Sequence, residues 1–270
     1  MKAFLTSSAV AFTALASSHA ATLISDSFNG MADGANFVNR APEVSNAGGN
    51  WTSATANLLS NGAGGLEATY STTPANNQRT ASIDLGAGYL AANKGIYELS
   101  VDVTHPTTSS DNTSWVGVGF LGSGSTSSTL VSNNGSPWMM YRMNGNVNVY
   151  GGTGISNPLV TNSLPSTHGG ALGGTYTMKL VLDTSAPNWV LRAFMGDYEF
   201  DLNGSAAGTA YTFTTNPISG HVGFGNGVNA SSDDVSVIDN FQLNFTAVPE
   251  PSAALLALVG CGGLFLRRRR

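Results

Sequence analysis

The sequence predicts an all-β protein, built as a two-sheet antiparallel sandwich. Apolar and polar residues alternate with a period of two in many short runs, and clusters of Gly, Asn, Ser and Pro separate the runs. Between residues 21 and 246 we find no convincing apolar pattern of period 3.6. A dozen or so short strands over about 226 residues is typical of a sandwich, and the length is normal for one β domain.

Individual strands follow from the alternation. Residues 97–103 and 176–182 each have one apolar face, and in residues 235–245 the apolar positions are Val235, Val237, Phe241, Leu243 and Phe245. Each pattern is typical of a strand that is buried on one face and solvated on the other. Gly196 and Asp197 lie between two such runs, 188–195 and 198–202, which predicts a hairpin with a two-residue loop.

Charge argues against a nucleic-acid-binding protein, and hydrophobic content argues against a disordered one. Charged residues make up 10% of the chain, and the formal net charge is −5. The body from 21 to 246 has six basic and fifteen acidic residues, so its own charge is near −9. A basic stripe, which a nucleic-acid partner requires, is missing from this composition. Hydrophobic residues at 41% can fill a core, which argues against disorder throughout.

The N-terminus has the features of a secretory signal peptide. Lys2 precedes an apolar stretch, residues 4–16, and the small residues Ser18 and Ala20 follow. We expect signal peptidase to cleave after Ala20, so residues 1–20 are a signal peptide and the mature chain begins at Ala21. A membrane anchor is the alternative, but polar residues interrupt the apolar stretch.

The C-terminus, residues 247–270, has three parts in order. Pro249, Glu250 and Pro251 precede the apolar segment 252–266, and the chain closes with four arginines: Arg267, Arg268, Arg269 and Arg270. As a helix the apolar segment is ~22 Å long at ~1.5 Å per residue, which is short of the ~30 Å hydrocarbon core. The arginines favour the cytoplasmic side. We therefore expect transient insertion of a short transmembrane helix into the inner membrane.

This tail resembles the PEP-CTERM sorting signal, a pattern also named the ice-binding protein C-terminal domain. The resemblance implies processing by exosortase, a membrane enzyme, near Pro-Glu-Pro. It implies a final place in the cell envelope, at the cell surface or in an extracellular matrix rich in exopolysaccharide. Cys261, the single cysteine, lies in the apolar segment; it is either a small packing residue or a site of lipidation or thiol chemistry.

The body, residues 21–246, resembles the concanavalin A-like lectin and glucanase jelly rolls. The resemblance rests on the strand pattern: residues 26–28 and 238–241 are placed to form neighbouring edge strands, and residues 115–120 and the hairpin near Trp189 fit the same scheme. It implies a β-sandwich in which the two termini pair. It also implies that sugars are the ligand class to test.

The predicted carbohydrate-binding face begins at Trp115. In a strand, Trp115, Gly117 and Gly119 share one face, while Val116, Val118 and Phe120 share the other. The glycines leave a shallow surface on which a sugar ring can stack against an exposed indole. Further stacking and hydrogen-bonding groups are predicted to come from Trp138, Tyr141, Arg142 and Tyr150. The alternative is that these aromatic residues fill the sandwich core.

Catalytic motifs are weaker. Glu199 and Asp201 resemble the first two acids of the laminarinase strand motif, but Asn203 or Gly204 occupies the place of the third acid. A retaining glycosidase needs two carboxyl groups about 5 Å apart. The G-x-G-x-x-G run at residues 117–122 precedes loop residues and not a helix, so it does not predict dinucleotide binding.

Metal and cofactor signals are also weak. The histidines of the mature chain have no metal-ligand spacing. We expect no cofactor, although calcium with a structural role is an option that four acids allow: Asp111, Asp233, Asp234 and Asp239.

The sequence therefore predicts a non-catalytic envelope or matrix protein whose jelly-roll domain binds polysaccharide. A divergent glycoside hydrolase or lyase on the same fold is one alternative. A purely structural surface protein is the other.

Overall fold

The computed structural model describes residues 19–53, 58–68, 77–106, 114–122, 136–152, 158–163, 173–204, 208–228 and 236–248. The predicted signal peptide up to residue 18, and the predicted sorting helix and arginine cluster, lie outside these residues. The first strand begins at Ala21 and the last ends at Ala247. In the described ranges, no helix is both long and apolar enough to cross a membrane.

Two antiparallel sheets form a sandwich. The ten-stranded sheet contains β1 (Ala21–Asp26), β2 (Val44–Ser45), β4 (Leu58–Ser60), β5 (Leu66–Ala68), β7 (Gly95–Thr104), β12 (Thr175–Asp183), β13 (Val190–Met195), β14 (Tyr198–Glu199), β15 (Tyr211–Thr212) and β17 (Val237–Ala247). Its main order is β14-β13-β12-β7-β17-β1-β2; β15 pairs with β13, and β5 joins β17 to β4.

The seven-stranded sheet contains β3 (Thr52–Ser53), β6 (Asn77–Asp84), β8 (Trp115–Leu121), β9 (Pro137–Arg142), β10 (Asn146–Gly151), β11 (Val160–Ser163) and β16 (His221–Val228). Its order is β11-β10-β9-β8-β16-β6-β3. The one helix in the described ranges is α1 (Tyr89–Ala92), a single turn. The all-β sandwich predicted from the alternation is confirmed.

The two ends of the domain pair as the resemblance implied. β1 lies antiparallel to β17, with Asp26 opposite Phe241. The expectation that they are edge strands is wrong, because β2 covers the free side of β1 and β7 covers that of β17.

A β-bulge changes which residues of β17 point towards the core. Asn240 adopts φ 50°, and the pairing of β17 with β7 shifts register between Asp239 and Gln242. As a result Ile238 and Phe241 are both buried, while Val237 is only half-buried. The predicted strand is correct, but the inward position assigned to Val237 is wrong.

The core lies between the sheets and includes an aromatic group: Phe28, Phe37, Trp51, Phe224 and Phe241. The carboxylate of Asp26 is buried beside this group and accepts a hydrogen bond from Trp51 Nε1 at 2.7 Å. Arg40 approaches the other oxygen of the same carboxylate at 3.1 Å. A buried charge therefore has both a cationic partner and hydrogen bonds, as burial requires.

The predicted hairpin at Gly196 and Asp197 is confirmed. Gly196 has φ 57°, and β13 and β14 pair on either side of the turn. β14 is only two residues long, because the chain leaves the sheet where Asp201 accepts a hydrogen bond from the Asn203 backbone N–H at 3.0 Å.

Candidate carbohydrate-binding face

The candidate site lies on the side of the seven-stranded sheet that faces away from the core; we call it the outer face. The alternation in β8 is as predicted: Val116, Val118 and Phe120 pack in the core, whereas Trp115 belongs to a separate apolar cluster. That cluster contains Trp115, Leu121, Trp138, Met140 and Tyr150. Three neighbouring strands, β8, β9 and β10, supply it.

Glycines on two strands form its floor. Gly117 and Gly119 on β8 lie opposite Gly225 and Gly223 on β16, and Trp115 lies opposite Gly227. A Cβ at Gly227 would overlap Trp115 Nε1, and one at Gly117 would lie 3.4 Å from Trp115 Cζ3. The indole therefore lies down across the sheet, in space that these glycines leave open.

The predicted exposure of Trp115 is wrong. The residue is 5% exposed, and Trp138, Met140 and Tyr150 are 2% exposed or less. The glycines were expected to leave room for a sugar ring above Trp115. The indole itself fills part of that room, because Gly227 and Gly117 have no side chains to keep it off the sheet.

Trp138 and Tyr150 form a parallel stack. Their ring centroids are 4.1 Å apart and the planes differ by 8°. Trp138 lies opposite Tyr150 across β9 and β10, so the strand register brings the rings together. The sequence predicted that Trp138 and Tyr150 would stack on a sugar; in the structure they stack on each other and are buried.

Tyr141 lies on the opposite face, so its assignment to the site is wrong. It pairs with Val116 and packs in the core, where its ring lies 4.2 Å from that of His105. Neighbouring residues of a strand point to opposite faces, so Tyr141 cannot join Trp138 and Arg142.

Arg142 does reach the cluster. It is half-buried at the end of β9, opposite Trp115, and it hydrogen-bonds the Tyr150 hydroxyl. Burial raises the pKa of Tyr150, and the guanidinium acts against that rise. The Tyr150 hydroxyl therefore stays protonated at neutral pH, next to a cation.

Buried polar atoms without a partner lie on the same face. Among the described residues they are Trp138 Nε1, Asn148 Oδ1 and His221 Nδ1. Asn148 is 8% exposed and uses its Nδ2 to donate to Thr161 Oγ1 at 3.2 Å. A buried polar group without a partner costs about 1–3 kcal/mol. These atoms are therefore positions at which a polar ligand or water would be stabilised.

Sequence reasoning missed Asn148 and His221. The signal for Asn148 was present, because it is in phase with Tyr150 on a strand with strict alternation. His221 is placed by its register opposite Asp84, and its Nε2 lies 3.5 Å from Asp84 Oδ1. That pairing joins residues 137 positions apart, so local patterns do not report it.

The Glu199 carboxylate is already paired. Arg192 donates to both of its oxygens, at 2.7 Å each, and Thr209 Oγ1 donates to one of them. These hydrogen bonds, above all those from Arg192, lower the pKa of Glu199. A general acid needs the opposite shift, and a carboxylate nucleophile needs oxygens that are not already hydrogen-bonded to Arg192 and Thr209.

The four acids considered for calcium are mostly outside the described residues. Asp111, Asp233 and Asp234 lie there, and burial raises the pKa of the remaining Asp239. In the part of the chain that the structure describes, no group of three or more His, Cys, Asp or Glu side chains is arranged to hold a metal ion.

No protein-family model and no curated protein sequence matches the chain. Solved structures do match it. An endo-1,3-β-glucanase from Streptomyces sioyaensis is 15% identical with a TM-score of 0.56, over 89% of this chain and 100% of that one. The carbohydrate recognition domain of Emp47p is 12% identical with a TM-score of 0.55, over 87% of this chain and 100% of that one.

A carbohydrate esterase of the Shiga toxin-encoding bacteriophage phi24B is 12% identical, with a TM-score of 0.50 over 85% of this chain and 100% of that one. At these identities the likeness concerns the fold. The described body of this chain is an all-β, two-sheet sandwich with the jelly-roll fold that these structures have.

Proposed function

We propose that this is an exported, non-catalytic protein whose jelly-roll domain binds polysaccharide on the outer face of the seven-stranded sheet. The observation that carries the proposal is the side-chain amide oxygen of Asn148, Oδ1. This oxygen is nearly buried and has no hydrogen-bond partner, and the Asn148 side chain adjoins the Trp138–Tyr150 stack through a hydrogen bond to Tyr150. Sugar hydroxyls supply the donor that this oxygen lacks.

The accessible part of the proposed site is its polar edge. Thr161 is exposed and Arg142 is half-buried, whereas the aromatic rings next to them are covered. We infer that the polysaccharide binds along β9, β10 and β11, with hydroxyl groups on Asn148, Arg142 and Thr161. Trp115 then has a supporting role, because it holds the sheet surface beneath the site.

The likeness of the fold supports the choice of ligand class. The two structures with the higher TM-scores bear names that refer to carbohydrate, one as a 1,3-β-glucanase and one as a carbohydrate recognition domain. Catalysis is not part of the proposal, because Asn203 stands where the related motif has its last acid, and because Arg192 and Thr209 already occupy the carboxylate oxygens of Glu199. No cofactor is proposed.

Export and sorting complete the proposal. Signal peptidase removes residues 1–20, exosortase processes the tail near Pro249, Glu250 and Pro251, and the body remains in the cell envelope or the extracellular matrix. Deletion of residues 248–270 is expected to release a folded body into the medium. Retention of the truncated protein in the envelope would contradict this part of the proposal.

The test of binding compares two asparagines. Asn148→Leu removes the unpartnered oxygen from the outer face, and Asn226→Leu removes one from the core, where Asn226 is 1% exposed and both its amide atoms lack partners. Retention on exopolysaccharide from the producing cells is expected to fall about 3- to 10-fold for Asn148→Leu, the effect of one lost hydrogen bond. Asn226→Leu is expected to bind as the parent protein does.

Both variants are expected to unfold within about 1 kcal/mol of the parent: Asn226→Leu removes only unsatisfied groups, and in Asn148→Leu the loss of the hydrogen bond to Thr161 is offset by removal of the unsatisfied oxygen. Equal retention of all three proteins would contradict the proposed face. Absence of retention in the parent protein would favour a purely structural role.

A further inference from the structure

A separate cleft lies at one end of the sandwich, where α1 and the connections that follow β12 and β15 meet. Its volume is about 400 Å³, within the range of small-ligand sites. The residues that matter in its lining are Lys94, Pro187, Trp189, Asn216, Ile218 and Ser219. We call it the end cleft.

The end cleft has a buried polar group without a partner. Ser219 is 4% exposed, and its hydroxyl oxygen makes no hydrogen bond. It lies in the lining, next to Ile218, which at 82% exposed is the more exposed of the two large apolar side chains that stand out from the described surface. A molecule in the cleft can therefore supply the hydrogen bond that this hydroxyl lacks.

The wall of the cleft is fixed in place. Asn216 accepts a hydrogen bond from the Trp189 backbone N–H at 2.9 Å and donates to the Pro187 carbonyl at 2.7 Å. The Phe213 backbone N–H donates to the Trp189 carbonyl at 2.9 Å. Trp189 itself packs against the core, so its indole is held rigidly where it borders the cleft.

Charge distinguishes this cleft from its surroundings. Its described lining includes Lys94 and no aspartate or glutamate, in a body near −9. A second cleft, on the outer face of the ten-stranded sheet, has about the same volume, 430 Å³, and is lined by Asp26, Glu43 and Asp102. The end cleft is therefore the one of the two that suits an anion.

The lysine is available for a ligand. In the described part of the chain Lys94 makes no ion pair, whereas Arg40 is paired with Asp26, Arg192 is paired with Glu199 and Lys179 lies over the Phe194 ring. Lys94 is exposed at the rim. Its ammonium group, the Ser219 hydroxyl and the Trp189 indole thus supply a cation, a donor and an aromatic border.

We propose that the end cleft binds a sugar unit that carries a carboxylate, as a uronic acid does. Lys94 pairs with the carboxylate, the Ser219 hydroxyl hydrogen-bonds the sugar, and the sugar's apolar side packs against the exposed Pro187 and Ile218, because Trp189 is 6% exposed and offers only its edge. The inference rests on the proposed polysaccharide-binding function but uses a different site. It adds preference for an acidic polysaccharide to that function.

The test measures affinity of the full exported protein for two probes by calorimetry. The probes are a short oligogalacturonate and a neutral cello-oligosaccharide of the same length. The parent protein is expected to bind the oligogalacturonate more tightly, and Lys94→Gln is expected to lower that affinity about tenfold, the effect of one charge-assisted hydrogen bond. Lys94→Arg keeps the charge and most of the affinity, and Ser219→Ala lowers the affinity about threefold.

Lys179→Gln is the matched control, because it removes a lysine from the outer side of β12 and not from the cleft; it is expected to bind as the parent does. Unchanged oligogalacturonate affinity in Lys94→Gln would overturn the inference. If the parent protein bound the neutral cello-oligosaccharide but not the oligogalacturonate, this inference would fail while the proposed function stood. If Asn148→Leu lost the neutral probe and kept the acidic one, the two sites would be independent, as proposed.

Discussion

Two tryptophans allow a direct comparison of what a buried indole N–H contributes to the stability of the folded protein. Trp51 Nε1 donates to the buried Asp26 carboxylate, while Trp138 Nε1 is buried without an acceptor. Both residues are fully buried. Substitution of each by phenylalanine removes the same atoms, so the difference between the two variants isolates the hydrogen bond.

The expected magnitudes follow from the contacts. Trp51→Phe loses a hydrogen bond to a charged group, about 1.5–3 kcal/mol, and some apolar volume, so we expect about 3 kcal/mol of destabilisation. Trp138→Phe also loses volume, but it removes an unsatisfied buried donor, and we expect a net cost below about 1 kcal/mol. For a domain of this size each kcal/mol shifts Tm by roughly 2–4 °C.

Differential scanning calorimetry at neutral pH measures both effects. Trp51→Phe is expected to lower Tm by about 6–12 °C and Trp138→Phe by less than about 4 °C. Circular dichroism confirms that each variant keeps its β structure before heating. Equal Tm values for the two variants would refute the reasoning, because the Trp51–Asp26 hydrogen bond would then contribute nothing that Trp138 lacks.

Three further predictions concern pH, packing and catalysis. Burial lowers the pKa of His105 from 6.5 to about 4. The contribution of the neutral, buried His105 to stability is therefore present above pH 6.5 and is lost as the pH falls towards 4. In urea unfolding over that pH range, His105→Phe is expected to lose less stability than the parent protein. Burial also raises the pKa of Asp26, and this shift favours the folded state as the pH falls, opposite to the effect of His105. It is the same in the parent protein and in His105→Phe, so it does not affect the comparison. Gly227→Ala is expected to cost about 1–3 kcal/mol, because the added Cβ displaces Trp115, while Gly49→Ala meets open space and changes Tm little. Glu199→Gln is expected to leave any release of reducing sugar from polysaccharide unchanged; a large loss would revive the enzyme alternative.

The fold was predictable because its signal is local. Alternation within β7, β8 and β12 assigns inward and outward residues without knowledge of any partner strand. The same rule places Trp138 and Arg142 on one face and Tyr141 on the other. The assignment of Tyr141 to the site was therefore an error that the sequence could have prevented.

The features that sequence did not predict depend on distant partners. The glycine floor forms only when β8 and β16 pair, which joins Gly117 to Gly225. The position of Trp115 flat on the sheet follows from that pairing. The bulge at Asn240 and the end cleft likewise arise where segments far apart in the chain meet.

The most direct test of polysaccharide binding on the outer face uses the four tryptophans as reporters. Each indole N–H gives its own signal in a proton–nitrogen correlation spectrum, and the indoles lie in three different places: Trp51 in the core, Trp115 and Trp138 on the outer face, and Trp189 at the end cleft. Titration with the polysaccharide fragments that the protein retains is expected to shift the signals of Trp138 and Trp115 and to leave that of Trp51 in place. Saturable binding that leaves both outer-face signals unchanged would contradict the proposed site.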